Sequence, residues 1–190
     1  MNKTAERSQN RQWRGVARRL AAVCMLAATV LPAQLNLRRA PGFCLVDTTA
    51  QWRDLADYRG KVVIIEFMLT TCPHCAAFVP KMEALAQRYS GKVQLLGIAV
   101  PPDNPAKMLD FVNGHKISYP LLFDMGQVAA SYVRVANLNF PHVYLVDGDG
   151  MIRGDWEEGP LTKDIFEGNG LAREIEKLLP GQPQPATKKK

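Results

Sequence analysis

Between residues 43 and 179 the apolar positions follow two rhythms, one of strands and one of helices. Phe43-Cys44-Leu45-Val46-Asp47 alternates and predicts a short edge strand, followed by a loop and a tight turn at Gly60. Lys61–Phe67 is a continuous, β-branched run, as expected of a strand covered on both faces. After Cys72 the apolar residues Phe78, Met82, Leu85, Ala86 and Tyr89 recur at helical spacing, and Ser90-Gly91 ends that helix. Val93–Val100 is a second buried strand, stopped by Pro101-Pro102. Asn104-Pro105 opens a helix through Met108, Leu109, Phe111 and Val112 that Asn113-Gly114 is expected to stop. Tyr119–Asp124 predicts a short strand and Gln127–Val133 a short helix. His142–Asp147 and Met151–Trp156 form a hairpin around Gly148-Asp149-Gly150. Asp164–Leu179 reads as a final helix, with Gly168 and Gly170 weakening its first half. Strands separated by helices, then a hairpin and a helix, define an α/β sandwich. Its central mixed sheet is flanked by helices, parallel at first and antiparallel at its end.

The two ends differ from this middle. Residues 1–19 are polar and basic, and the 18 residues Leu20–Leu37 carry no charge. Leu20–Leu31 has the length of a signal-peptide apolar core, and Pro32-Ala33 is a candidate cleavage site. An uncleaved membrane anchor is the competing reading, since 18 residues is at the lower limit for a span. The division is therefore 1–40 as signal peptide or anchor, 41–180 as one domain, and 181–190 as a disordered tail rich in proline and lysine. Charge follows the same division. Of the net +6, residues before 20 contribute +5 and Lys188, Lys189 and Lys190 contribute +3, leaving −2 on the domain. A fold with no basic face is not a nucleic-acid binder.

Chemistry concentrates where the first buried strand meets the first helix. Cys72-Pro73-His74-Cys75 places two thiols one helical turn apart at a helix N-terminus. There the free backbone N–H groups and the positive end of the dipole stabilise an attacking thiolate. Cys72, at the helix start, is the expected nucleophile, and Cys75, partly buried one turn in, the resolving thiol. Pro73 suits the first helical turn, and a hydrogen bond or charge from His74 would favour a thiolate on Cys72. A zinc half-site is the alternative, but the chain has no second Cys-x-x-Cys or paired histidines to complete it. Glu66 is an acid inside an apolar strand, a costly placement without a partner or a task. Behind the cysteines its pKa should rise, fitting it to take the Cys75 proton. Phe140-Pro141 opens the hairpin strand, where a cis bond is expected to bring a backbone N–H beside the sulfurs. His142 reads as a strand-surface histidine, Cys44 as a small buried apolar residue, and Cys24 as part of the apolar leader.

Cys72-Pro73-His74-Cys75, Glu66 six residues before it, Pro80 five after it and the aromatic-Pro before a hairpin together resemble the thioredoxin superfamily. The lead-in Asp54–Val63 and the extra helix and strand at 105–123 look like the exported TlpA/ResA-like branch. The resemblance covers residues 43–180. It implies a thioredoxin-like sandwich with an N-terminal extension and a helix–strand insertion, and a thiol–disulfide oxidoreductase of the periplasm or another extracytoplasmic space. No cofactor is implied; the partners are protein thiols or disulfides and an upstream redox protein. By carry-over Cys72 is the nucleophile, Cys75 the resolving thiol, Glu66 the proton shuttle and Pro141 a cis-proline contacting substrate. Pro73, His74 and Phe140 complete the substrate-facing surface. The chain departs from thioredoxins at Thr71, where they usually carry tryptophan, and at Met68, and its Pro-His dipeptide resembles DsbA-type oxidants. Two alternatives share the scaffold. A thiol peroxidase would need a threonine three residues before its cysteine, where this chain has Leu69 before Cys72 and Cys72 before Cys75. A copper-binding relative would use Cys72, Cys75 and His142.

Overall fold

In the computed structural model, residues 38–133 and 139–179 are described. The expected leader and the Pro/Lys tail lie outside them, except for residues 38–40. The central strand β3 (Val62–Met68) has all seven side chains buried. It pairs in parallel with β4 (Val93–Ala99) and antiparallel with β6 (His142–Val146). β5 (Leu121–Phe123) and β7 (Ile152–Glu157) complete a five-stranded sheet in the order β5-β4-β3-β6-β7. The expected mixed α/β sheet is present, parallel on one side of β3 and antiparallel on the other.

The two faces of β3 are covered differently, as strand alternation requires. Val62, Ile64 and Met68 face α1 (Pro73–Arg88), which contributes Phe78, Val79 and Met82. On the same side lie Met108 and Phe111 of α2 (Pro105–His115), Phe166 of α4 (Lys163–Phe166) and Leu171 and Ile175 of α5 (Gly170–Leu178). Val63, Ile65 and Phe67 face the other way, toward Phe43 and toward Ala129 and Tyr132 of α3 (Gln127–Tyr132). There Phe67, Tyr132 and Tyr144 pack at centroid distances of 5.1–5.9 Å, and Tyr132 Oη donates to the Pro41 carbonyl at 2.8 Å. At roughly 1.5–3 kcal/mol for each large side chain buried, the six buried apolar residues of β3 are a large apolar contribution to the fold.

Four local expectations are corrected. β1 (Cys44–Val46) is present, but the segment expected as loop forms a partner strand, β2 (Trp52–Asp54). The buried Asp47 carboxylate closes their turn, accepting from Thr49 N–H at 2.8 Å, Gln51 N–H at 3.0 Å and Arg53 Nε at 2.7 Å. Partial burial opposes ionisation, but hydrogen bonds from Thr49, Gln51 and Arg53 outweigh it and hold Asp47 down at about 2. Cys44 is exposed rather than buried, because alternation turns Phe43 and Leu45 inward and leaves it outside. α2 runs through Asn113-Gly114 to His115: Lys116 ends it in the left-handed region (φ 56°) while Ile117 N–H donates to the Val112 carbonyl. The last helix is two, α4 and α5, because the chain folds tightly over Asp164. A Cβ at Gly168 would stand 2.2 Å from Asp164 Oδ1, and one at Gly170 2.8 Å from its carbonyl oxygen. Among the described residues no helix is long and apolar enough to cross a membrane.

Leu96 is fully buried and Leu109 is about half exposed. Leu96→Ala should lower the unfolding free energy by about 2–5 kcal/mol and Leu109→Ala by no more than about 0.5 kcal/mol, as read from urea melts.

Candidate active site

The chain leaves β3 after Met68 and turns through Leu69-Thr70-Thr71 to Cys72, which caps α1 with extended backbone (φ −82°, ψ 118°). Cys72 N–H donates to the Leu69 carbonyl and its carbonyl accepts from Ala76 N–H, each at 3.1 Å. Pro73 occupies the first turn of α1, where a missing N–H leaves nothing unsatisfied. A residue the sequence reading passed over holds this turn. Asp103, a buried carboxylate just past the end of β4, accepts from Thr70 N–H at 2.6 Å and Thr70 Oγ1 at 2.7 Å. Its signal was its place beside the carboxyl end of a central strand, the edge at which open α/β sheets place their sites.

Cys72 is half-buried, and its Sγ donates to the Phe140 carbonyl at 3.6 Å. The Phe140-Pro141 bond is cis, as the resemblance implies, and Pro101-Pro102 is cis as well. Among the described residues the group that the cis bond brings into hydrogen bonding with Sγ is the Phe140 carbonyl rather than the expected backbone N–H. Cys75 is wholly buried rather than partly so, and both thiols are free. Burial pushes the Cys75 thiol far above its ordinary value. A backbone hydrogen bond at Leu69 works against that, while the charge of Glu66 and the neighbouring Cys72 sulfur add to it.

Glu66 lies behind this pair. Its partners across the sheet are Gly97 and Val143, and it shares the α1 face with Ile64 and Met68. It is 1% exposed, and its Oε2 has no hydrogen-bond partner among the described residues. Burial raises its pKa to about 8. A carboxyl that titrates near neutrality, beside a thiol that resists ionisation, matches a proton acceptor to its donor.

The other expected residues divide. His74 is exposed, with Nδ1 3.7 Å from Glu158 Oε1; no hydrogen bond joins it to Cys72 among the described residues. Glu158 N–H in turn donates to the Pro141 carbonyl at 3.1 Å, so His74 and the cis-proline meet on one rim. Glu158 carries no sequence signal of that role. His142 is buried rather than on the strand surface. Its Nε2 lies 2.7 Å from Asp155 Oδ1 and its ring stacks on Tyr144 at 4.7 Å. It pairs with Phe67, on the face away from Cys75, so the set Cys72, Cys75 and His142 is not assembled. Among the described residues no three His, Cys, Asp or Glu side chains come together as a metal site.

A strand that ends in a helix-capping cysteine, a buried second thiol and, at the sulfur, the carbonyl of the residue before a cis-proline define a thioredoxin-fold thiol–disulfide oxidoreductase. The chain belongs to the AhpC/TSA family, whose model matches residues 37–154. It is 30% identical over 132 residues to the thiol-disulfide oxidoreductase ResA of Bacillus thuringiensis, covering 69% of this chain and 74% of that one. It is 26% identical over 132 residues to the thioredoxin-like protein YneN of Bacillus subtilis, covering 68% and 75%. A thioredoxin-family thiol:disulfide interchange protein from Chlorobium tepidum shares the fold, with a TM-score of 0.66 at 20% identity, covering 77% of this chain and 99% of that one.

Glu66 makes stability depend on pH. Its pKa is higher folded than unfolded, so the native state keeps the proton longer and stability falls as pH rises between about 4.5 and about 8. From pH 5 to pH 8 the wild-type unfolding free energy should fall by on the order of 3 kcal/mol more than that of Glu66→Gln, measured by urea melts at each pH.

Proposed function

We propose that the protein exchanges a Cys72–Cys75 disulfide or dithiol with protein substrates outside the cytoplasm. The observation that carries this reading is the buried Glu66 carboxyl behind a buried Cys75, with Cys72 at the helix cap in front of both. In the reducing direction the Cys72 thiolate attacks a substrate disulfide, forming one S–S bond and releasing one substrate sulfur as thiolate. The Cys75 proton then passes to Glu66, and the Cys75 sulfur attacks Cys72. The mixed disulfide breaks and the second substrate sulfur leaves. The substrate gains two electrons and the protein holds a Cys72–Cys75 disulfide; oxidation of a substrate is the same sequence reversed.

The surface around Cys72 supports the rest of the reading. Phe140 and Pro141 on one side, with Pro73 and His74 on the other, frame the approach to the sulfur. The Phe140 carbonyl is already directed at it. An extended substrate segment would lie along this rim. The basic residues 1–19 and the apolar Leu20–Leu37 support an extracytoplasmic location, reached by a cleaved leader or held by an anchor.

Cys72→Ser should abolish reduction of insulin disulfides, and Cys75→Ser should accumulate a mixed disulfide through Cys72, seen as a thiol-sensitive mass adduct. Full insulin reduction by Cys72→Ser overturns the assignment. In a chain that keeps Cys75, Glu66→Gln should slow resolution of the Cys72 mixed disulfide by about 10²–10⁴-fold near pH 8 in stopped-flow assays; an unchanged rate across pH 6–9 removes Glu66 from the proton path. For location, the full chain should fractionate outside the cytoplasm and a chain lacking residues 1–37 inside it; equal distributions of the two would show that the leader does not direct export.

A further inference from the structure

Glu66 Oε2, the Tyr119 hydroxyl and His142 Nδ1 are buried and have no hydrogen-bond partner among the described residues. His142 lies on the face away from the thiols, but the first two share a face and a neighbour. Gly97 pairs with Glu66 across β3–β4 and with Leu121 across β4–β5. A Cβ at Gly97 would stand 2.8 Å from Leu121 Cδ1 and 3.4 Å from Tyr119 Cε2. The missing side chain at 97 is therefore the space into which the Tyr119 ring leans, on the strand position next to Glu66. The chain is fixed there, since Gly97 N–H donates to the Pro120 carbonyl at 3.0 Å. Tyr119 is 6% exposed, which leaves its hydroxyl no route to bulk water as a partner.

By type, each orphan is what the other lacks: a phenol O–H donates and a carboxylate oxygen accepts. Leaving both buried and unpaired would forfeit a charge-assisted hydrogen bond, among the stronger kinds in a protein interior. The phenol is also held in its donor form, because burial, then the charges of Glu66 and Glu83, oppose its ionisation.

We propose that Tyr119 is a positioning residue for Glu66, its hydroxyl supplying the hydrogen bond to the ionised carboxylate through one internal water. Tyr119 thereby sets how readily Glu66 accepts the Cys75 proton. This rests on the reading of Glu66 as that acceptor. Tyr119 moves no electrons and exchanges no covalent bond; it stabilises the carboxylate before the proton arrives.

The test follows the Glu66 side-chain carboxyl by carbon-13 titration in the full chain, beside single-turnover resolution of the Cys72 mixed disulfide. Tyr119→Phe keeps the ring and removes the donor. It should raise the Glu66 midpoint by about one pH unit and slow resolution about tenfold at neutral pH. Site-specific 3-fluorotyrosine at 119 keeps the shape and strengthens the donor, so the midpoint should move down. A merely structural role would change unfolding and leave the midpoint in place. A midpoint unmoved in both variants overturns the proposal. Resolution at the wild-type rate in Glu66→Gln, with the Tyr119→Phe midpoint still shifted, overturns the acceptor reading and leaves the pairing intact.

Discussion

The fold is arranged around a carboxyl group kept out of water. Glu66 sits in a strand whose other side chains are apolar, between neighbouring strands and under a helix. A charge there is expensive, and proteins usually answer by pairing it or by shifting its pKa. Here the shift dominates. The acid becomes a group that titrates near neutrality, which suits it to exchange protons with a thiol. The apolar strength of β3 makes this tolerable: six other buried residues on the strand offset one whose burial costs stability progressively as pH rises from about 4.5 to about 8.

The two faces of the sheet divide the labour. On one, Phe67, Tyr132 and Tyr144 pack tilted or edge to face, and Tyr132 ties α3 to the N-terminal segment through Pro41. That face holds architecture. The other carries Glu66, Cys75 and the underside of α1, where apolar packing and reacting groups are interleaved. His142 shows how sharp the division is. It is one residue from the cis-proline, yet strand alternation sends it to the architectural side and into contact with Asp155 and Tyr144.

Much of this was legible in the residues. The unbroken run Val62–Phe67, the Cys-x-x-Cys at its end and the alternation of strands and helices located the sheet and the site together. So did the one acid in an apolar strand. What escaped was set by contacts distant in sequence or by side chains closing turns. β2 is a strand because Asp47 gathers four donors from three residues across its turn, which no periodicity reveals. Gly114 reads as a stop but lies in the last turn of α2, because the left-handed cap falls two residues later at Lys116. Asp103 and Glu158 join the site through loops, 33 residues from Thr70 in one case and across the cis-proline in the other. Tyr119 carries no signal in the pattern, because its place beside Glu66 depends on Gly97, which pairs with Glu66 from another strand.

The Cys72 sulfur is held from two sides, and neither involves the residues between the cysteines. On one side Asp103 grips Thr70, and on the other the Phe140 carbonyl meets Sγ, while the Pro73 and His74 side chains face outward. Exchange of those two exposed side chains would therefore leave both holds on the Cys72 sulfur in place.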